Sequence, residues 1–403
     1  MRRSPLHTCP NCLEAGLKPF YRVEDVPVHS VLKIRTHEEA RQFPRGTLHL
    51  AFCPACGFIA NTAFDASLLN YSREYEETQG FSPTFNAFHR RLAQDLIERH
   101  QLYGKDIIEI GSGKGEFLTL LCELGQNRGI GFDPAFVPER RPDSSADITF
   151  IEDFYSEKYA LYRADFICCK MTLEHIPDTA HFVGTVRRAI GPHLETTVFF
   201  QIPDVRRILQ ELAFWDIYYE HCSYFSPVSL KYLFERQGFE VLRIWTDYHD
   251  QYLMLEAKPV ATPRSVRVDE EALYELKQEL DYFTAHIQET IRAWKETLAQ
   301  LHRTGKWTYL WGGGSKAVAF LTTLGVGEEV AAAVDINPYK RGTFLAGTGH
   351  RVIGPEDLQE KTPDVVIVMN PVYHEEIVHM LHTLDLYPRV FDVTAPVAQR
   401  VAR

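Results

Sequence analysis

The chain has 403 residues and a net charge of −11, with 45% hydrophobic and 24% charged residues, as is usual for globular proteins of two or three domains. The negative charge argues against a nucleic-acid partner, because such proteins present a basic surface. A membrane-spanning helix needs about 18 or more consecutive apolar residues. The sequence contains no such stretch, so we predict no membrane span. The N-terminus, "MRRSPLHTCPNC", lacks the apolar segment of a secretory signal. We therefore expect a cytoplasmic protein that binds neither nucleic acid nor membrane.

Two Cys-x2-Cys motifs are the first chemical feature along the chain. "CPNC" supplies Cys9 and Cys12, and "CPAC" supplies Cys53 and Cys56. Each pair can hold one side of a tetrahedral ion, and four thiolates close the coordination sphere, so we predict a structural Zn²⁺ site in a domain of residues 1–65. The alternative is four unligated cysteines. Three histidines are possible substitute ligands: His7, His29 and His49.

The middle of the chain, residues 66–262, predicts an α/β domain. Residues 66–105 are interpreted as largely helical, and from residue 106 short apolar runs alternate with helical segments, which indicates a seven-stranded sheet that is parallel at its centre. The runs are "DIIEI", "RGIGFD", "ITFIED", "ADFICC", "TTVFFQI", "FEVLRI" and "YLMLEA".

A glycine-rich loop, "EIGSGKGEF", follows the first of these strands and opens a helix. Glycines let the backbone approach a ligand closely, and Asp133 ends the next strand, where an acidic residue binds the ribose of an adenosine ligand. The third strand ends at Asp153 and Phe154, which we expect beside the adenine. The predicted cofactor residues are Glu109, Gly111, Gly113, Gly115, Asp133, Asp153 and Phe154.

The pattern Glu-x-Gly-x-Gly-x-Gly, together with "DFICCKMTLEHIP", resembles the class I S-adenosylmethionine-dependent methyltransferases. The resemblance implies S-adenosylmethionine as cofactor. Lys114 in the loop is the one feature that also suits a nucleotide phosphate. One interpretation of the dipeptide Glu174-His175 is a catalytic pair. We favour another, in which it is a sequence feature of the family, located at a strand end near the cofactor.

The last part of the chain, residues 263–403, predicts a connector helix over 267–304 and a second α/β lobe. "LWGGGSKAVAF" has the glycine spacing of a dinucleotide fingerprint, and Asp335 ends the next strand. Taken alone, this loop predicts an NAD-linked oxidoreductase. Lys316 lies at the predicted helix start, where a pyrophosphate binds well. A lobe that binds nothing is the alternative, and Lys340 and Arg341 are further cations.

The complete set of motifs resembles the zinc-containing sugar C-methyltransferases of antibiotic deoxysugar pathways. The motifs are "CPNC…CPAC", "EIGSGKGEF", "IYYEHCSYFS", "WGGGSKA" and "VVIVMNP". The resemblance implies three lobes: a four-cysteine zinc lobe, a class I methyltransferase domain and a Rossmann-like lobe that binds the acceptor. It also implies methylation of C3 of a nucleotide-linked 4-keto-deoxysugar. The oligomeric state, monomer or dimer, stays open.

The stretch "YYEHCSYFS" carries the catalytic residues that this resemblance implies. Tyr218, Glu220 and His221 match the family's cluster beside the sugar, with the histidine as base, whereas Tyr219 stands where a histidine is often found. An upstream tyrosine of the family corresponds to Tyr75 or, less well, to Tyr71. Tyr224 is a further candidate for contact with the substrate.

This cluster suits carbon methylation, which needs a carbanion equivalent. A proton next to a ketone is a very weak acid, so the site must supply a base and stabilise an enolate oxygen, and histidine and tyrosine fit these tasks. Other functions stay open at this point. They are methyl transfer to a non-sugar carbon, oxygen or nitrogen, a nucleotide-binding module without catalysis, and the oxidoreductase.

Overall fold

The computed structural model describes residues 8–262 and 265–396, which form three sheets linked by helices. The N-terminal sheet is antiparallel and built around β1 (Lys18–Pro27), β2 (Arg45–Phe52) and β3 (Ile59–Asn61), with a one-turn helix α1 (His37–Arg41) between the first two. Its fourth strand, Ser223–Tyr224, comes from far along the chain and pairs with β3. The sheet therefore ties the N-terminal region to the "YYEHCSYFS" stretch.

The central lobe contains the seven-stranded sheet. Its elements are α2 (Pro83–His100), β4 (Asp106–Ile110), α3 (Glu116–Gly125), β5 (Arg128–Phe132), β6 (Ile148–Ile151), β7 (Phe166–Lys170), α4 (Thr179–Ile190), β8 (Thr197–Pro203), α5 (Val205–Gln210), β9 (Ser223–Tyr224), α6 (Pro227–Arg236), β10 (Phe239–Asp247) and β11 (Tyr252–Pro259). The strand order is β10-β11-β8-β7-β4-β5-β6. Five strands are parallel, and β10 and β11 join antiparallel at one edge. The predicted α/β class and strand count are confirmed.

The helix predicted over residues 66–105 is wrong in its first part. Apart from one 3-10 turn at Ala66–Leu68, no helix precedes α2 in this region of the described chain. Helix α2 begins at Pro83 because Ser82 caps it, its hydroxyl accepting a hydrogen bond from the Phe85 N–H, and proline suits the first helical position. The segment between this 3-10 turn and the cap covers residues 69–81. It forms an irregular loop that carries Tyr71 and Tyr75.

The long helix α7 (Glu270–Arg303) lies near the beginning of the second described range. It confirms the predicted connector helix. Asp269 caps it by accepting a hydrogen bond from the Ala272 N–H. Its apolar stripe faces two lobes: Phe283 packs edge-on against Tyr21 of the N-terminal sheet, and Trp294 packs against Phe320 of the C-terminal lobe. The helix thus braces the two end lobes against each other.

The C-terminal lobe is a five-stranded parallel sheet of order β14-β13-β12-β15-β16. Its elements are β12 (Thr308–Trp311), α8 (Ser315–Leu324), β13 (Ala332–Val334), β14 (Val352–Ile353), β15 (Val365–Val368), α9 (His374–Thr383) and β16 (Arg389–Asp392). The lobe is α/β, as predicted, and its strand β14 is only two residues long. The domain boundaries at residues 65 and 262 stay predictions. Within the described residues, no helix is long and apolar enough to cross a membrane.

Candidate active site

The four predicted cysteines form one buried cluster. Cys9 Sγ lies 3.8 Å from Cys56 Sγ, and Cys12 Sγ lies 3.5 Å from Cys53 Sγ. These distances are too long for a disulfide and close to the edge of about 3.8 Å that Zn–S bonds of about 2.3 Å give a tetrahedron. The four sulfurs lie within 4.8 Å of one another, so the set fits a tetrahedral metal ion.

None of the substitute histidines that the structure describes joins this cluster. His49 Nδ1 is hydrogen-bonded to the Thr62 hydroxyl at 2.8 Å, and His29 contacts Glu220. His7 lies outside the described residues. The four thiolates are therefore the ligand set that the structure offers.

The first glycine loop connects β4 to α3. Gly111, Gly113 and Gly115 have φ of +74°, +55° and +85°, in the left-handed region that favours glycine. A Cβ on Gly111 would lie 1.9 Å from Thr172 Oγ1. This backbone can approach a ligand closely, as an S-adenosylmethionine site requires.

The two acidic residues of this site stand in different positions. Asp133 accepts hydrogen bonds from the N–H groups of Gly113 and Ala135, at 2.8 and 2.7 Å, and it lines the cavity beside the loop. Glu109 instead lies beneath the loop, where it accepts a hydrogen bond from the Leu118 N–H at 3.0 Å. Burial raises the pKa of Glu109 to about 8.

The predicted adenine neighbours stand at the cavity mouth. Asp153 forms an ion pair with Lys158 and lines the cavity, as does Phe154, whose side chain is 60% exposed. Lys114 does not point to a phosphate position, because its ammonium donates to the backbone oxygen of Tyr75 at 2.9 Å. The loop therefore suits an adenosine ligand without a phosphate.

One cavity of about 860 Å³ joins the glycine loop to the other two lobes. The N-terminal third of the chain contributes Tyr71 and Tyr75, the central lobe contributes Tyr218 and His221, and the C-terminal lobe contributes the second glycine loop. The cavity is large enough to hold a cofactor and an acceptor side by side.

His221 is buried at the wall of this cavity and packs against other rings. Its imidazole lies 4.1 Å from the Tyr218 ring and 4.9 Å from the His175 ring, between centroids. Burial holds the pKa of His221 well below its ordinary value, and His175 lowers it further. Among the described residues, no group hydrogen-bonds the His221 ring. A neutral imidazole that faces the cavity can accept a proton from a substrate.

Glu220 points the other way, into the N-terminal lobe. Its carboxylate contacts His29 Nδ1 at 3.0 Å and accepts hydrogen bonds from the Ser30 N–H, at 3.1 Å, and from the Ser30 hydroxyl. His29 Nε2 in turn accepts from the Asn70 N–H at 2.8 Å. Glu220 is absent from the cavity wall. Its place in the structure is that of an anchor for the neighbouring histidine, and a direct contact with the acceptor stays a prediction.

The predicted tyrosines divide into those that line the cavity and those that do not. Tyr75 and Tyr218 line it, and so does Tyr71, whose hydroxyl hydrogen-bonds His175 Nδ1 at 3.0 Å. Tyr224 lies behind Tyr218, with its hydroxyl 3.5 Å from that residue's backbone oxygen. Tyr219 is buried away from the cavity, where its hydroxyl accepts from the Asp65 N–H. The departure at Tyr219 thus leaves the cavity wall unchanged.

Glu174 and His175 reach the same place as His221, although the sequence interpretation assigned them to a strand end near the cofactor. One ligand-type atom from each of the three residues lies within 4.8 Å of the others. Burial raises the pKa of Glu174 to about 8 and lowers that of His175 to about 4. The signal in the sequence is their position after β7, because the carboxyl ends of parallel strands form ligand sites in α/β sheets.

Two further groups of site residues escaped the sequence reasoning. His29 and Ser30 hold Glu220, and Arg207 and Asp216 meet Lys316 at the floor of the cavity. Although burial opposes its ionisation, the cations Lys316 and Arg207 lower the pKa of Asp216 to about 2. Lys316 is therefore already paired.

The second glycine loop also lines the cavity. Gly312 has φ of +115°, Gly314 precedes α8, and Asp335 accepts a hydrogen bond from the Gly313 N–H at 3.0 Å. Lys340 lies 3.3 Å from Asp335. Arg341 pairs with Glu356 and is not a cavity residue.

Comparison with known proteins agrees with this architecture. A family model described as a methyltransferase domain matches residues 85–244, and one described as a C-methyltransferase C-terminal domain matches residues 255–386. The C-methyltransferase NovU of Streptomyces niveus is 28% identical over 307 residues, which cover 72% of this chain and 72% of that protein.

Solved methyltransferase structures are similar to less than half of the chain. Magnesium protoporphyrin IX methyltransferase (ChlM) from Synechocystis PCC 6803, with bound SAH, is 14% identical with a TM-score of 0.34, over 44% of this chain and 84% of its own. The 1,6-didemethyltoxoflavin-N1-methyltransferase of Burkholderia thailandensis is 14% identical with a TM-score of 0.34, over 45% and 82%.

The fold and the first glycine loop define a class I S-adenosylmethionine-dependent methyltransferase. The C-terminal domain match and the similarity to NovU are consistent with the sugar C-methyltransferase family. The resemblance found in the sequence is confirmed.

Proposed function

We propose that this enzyme methylates a carbon next to a ketone, at C3 of a nucleotide-linked 4-keto-deoxysugar, with His221 as the base. The observation that carries the proposal is the neutral, cavity-facing ring of His221, which no described group hydrogen-bonds. It stands in the cavity that joins the first glycine loop to the C-terminal lobe. That position suits a base acting on an acceptor held between the two.

His221 would remove the α-proton of the ketone, because a neutral imidazole accepts a proton near neutral pH. Tyr75 and Tyr218 line the same cavity and would hold the ring of the acceptor through their hydroxyls. S-adenosylmethionine, bound at the glycine loop, supplies the methyl group. Fixing the nucleophilic carbon against that methyl would provide much of the rate.

The nucleotide end of the acceptor is proposed to lie at the second glycine loop. The first residues of α8, Ser315 and Lys316, line the cavity there, and a helix N-terminus favours a phosphate. Lys316 would stand beside that phosphate, although it must share its charge with Asp216. The similarity to NovU, a C-methyltransferase, supports carbon as the methylated atom.

The metal of the four-cysteine cluster is proposed to be Zn²⁺. Four thiolates at tetrahedral spacing are its preferred closed environment. No ligand position is left for catalysis, so the ion would be structural.

The test combines a mass-shift screen with a solvent-exchange assay. The wild type, with S-adenosylmethionine and a panel of nucleotide 4-keto-deoxysugars, should add one methyl to a sugar, and it should exchange the α-hydrogen in deuterium oxide. His221→Ala should lose both reactions by about 10² to 10⁴-fold while it binds S-adenosylmethionine unchanged. His193→Ala, at an exposed turn after α4, is the matched control and should behave as wild type.

A second candidate is methyl transfer to a non-sugar acceptor. The cavity volume of about 860 Å³ suits a non-sugar acceptor as well as a sugar nucleotide. If the protein binds S-adenosylmethionine tightly but neither exchanges nor methylates any ketosugar, the hypothesis of a sugar acceptor is wrong. The non-sugar acceptor then remains.

A further inference from the structure

Glu174 carries a buried carboxyl group whose two oxygens both lack a hydrogen-bond partner among the described residues. The residue is 2% exposed and lies in the short turn Leu173–His175 that follows β7. It belongs to the wall of the active-site cavity. Buried polar groups are nearly always hydrogen-bonded, so an unpaired carboxyl here indicates a partner that arrives with the substrate.

The position of this carboxyl relative to the base suits a ketone. One Glu174 oxygen lies within 4.8 Å of a nitrogen of His221 and of His175. A hydrogen bond to a carbonyl oxygen occupies about 2.7 Å, so one ketone can contact the carboxyl with its oxygen while its α-carbon faces His221. During enolisation the α-carbon loses its proton and the carbonyl oxygen gains the negative charge.

The surroundings of Glu174 keep its carboxyl protonated near neutral pH. Burial raises its pKa to about 8. Besides His175 and His221, the titratable groups that interact electrostatically with it, and whose pKa values its charge raises, are Tyr71, Cys169, Tyr218, Cys222 and Tyr252. None of these groups is a lysine or an arginine that would favour the carboxylate. A protonated carboxyl in an apolar site is a hydrogen-bond donor, as in ketosteroid isomerase.

We propose that Glu174 donates a hydrogen bond to the ketone oxygen of the acceptor and stabilises the enolate that His221 generates. This inference rests on the proposed function. The α-proton moves to His221, the C–H electron pair becomes the C=C bond, and the carbonyl oxygen gains the negative charge that Glu174 stabilises. When the carbon takes the methyl, the C=O bond re-forms, the electron pair of the S–CH₃ bond stays on sulfur, and His221 releases its proton to water.

The experiment measures deuterium exchange at the α-carbon of the nucleotide-linked 4-keto-deoxysugar that the wild type methylates in the screen, from pH 6 to 10. Glu174→Gln keeps an N–H donor and should retain the exchange rate within about tenfold, whereas Glu174→Ala should lose about 10² to 10³-fold, as for an oxyanion-hole donor. The donor must be protonated, so the wild-type rate should fall as the pH rises above about 8. Glu174→Gln should lack this fall.

Glu376→Gln is the matched control. Glu376 also lines the cavity, but its Oε2 accepts hydrogen bonds from the Ser82 hydroxyl and the Thr84 N–H, at 2.7 and 3.1 Å. This variant should keep the alkaline fall of the wild type.

Three outcomes would overturn the inference while the proposed function stands. They are an alkaline fall that persists in Glu174→Gln, a Gln variant as inactive as the Ala variant, and a wild-type rate that requires added Mg²⁺ or Mn²⁺, since a bound cation needs an ionised carboxylate. If Glu174→Ala does not fold, the pH profile of Glu174→Gln decides alone. A wild type that exchanges no ketosugar would overturn the proposed function itself.

Discussion

Glu220 and His221 are neighbours in the chain, yet their side chains point to opposite sides of the cavity wall. Glu220 accepts hydrogen bonds from the N-terminal lobe, and His221 faces the cavity. A fully buried carboxylate with three donors is a rigid anchor. The ring next to it is therefore held in place by a segment that lies 190 residues away.

Glu220→Gln tests this anchor. The amide brings two N–H donors to face the donors of His29 and Ser30, so we expect a loss of stability of about 1–3 kcal/mol and a lower methyl-transfer rate with unchanged S-adenosylmethionine affinity. Thermal melting, initial rates and calorimetry measure the three quantities. Glu195→Gln, whose side chain is 96% exposed, should change none of them. A lower rate with unchanged melting would instead indicate that Glu220 contacts the acceptor.

At the scale of elements, we expect the glycine loop between β4 and α3 to bind the cofactor because of its backbone shape. Gly111→Ala would place a Cβ 1.9 Å from Thr172 Oγ1 at a φ of +74°. We expect the dissociation constant of S-adenosylmethionine to rise at least about tenfold, since the loop must shift to relieve this contact. Isothermal titration calorimetry measures it.

Gly104→Ala is the control for the strain alone. Gly104 has a similar φ of +65°, but a Cβ there has no neighbour within 4 Å. This variant should lose about 1 kcal/mol of stability and keep its affinity. Equal losses of affinity in the two variants would contradict a specific role for the loop.

Most elements could be predicted from sequence because apolar runs mark strands that are buried on both faces. The strands β1, β2 and β3 of the N-terminal sheet were not predicted. The two-residue strands β9 and β14 also escaped, because so short a segment carries no periodicity. The cofactor loop was equally predictable, since its glycines are local. The contacts of His29 with Glu220 and of Glu174 with His221 were not, because they join distant segments and depend on packing.

At the scale of the whole molecule, the four-cysteine cluster supports the active site through the N-terminal lobe that supplies His29 and Ser30. Cys56→Ser should abolish the bound metal, lower the melting temperature and reduce methyl transfer, because metal binding contributes directly to folding. Metal content by mass spectrometry, melting and rates measure these effects.

Cys122→Ser is the control for this prediction. Cys122 is buried against the central sheet, in a different cluster of apolar side chains. It should lose some stability but keep one metal ion per chain. A Cys56→Ser protein with full metal content would contradict the four-cysteine ligand set.

The pairing of β9 with β3 has a consequence for how such enzymes can diversify. Strand β9 lies within the "YYEHCSYFS" stretch, so a piece of the central lobe completes the sheet that β1, β2 and β3 begin. A crossover that exchanged only one of the two segments would leave mismatched edges beside the base. We therefore expect recombination between relatives to keep β1 to β3 and the segment 218–226 from the same parent. The described strands of the C-terminal sheet pair only with one another, so we expect that lobe to be freer to change.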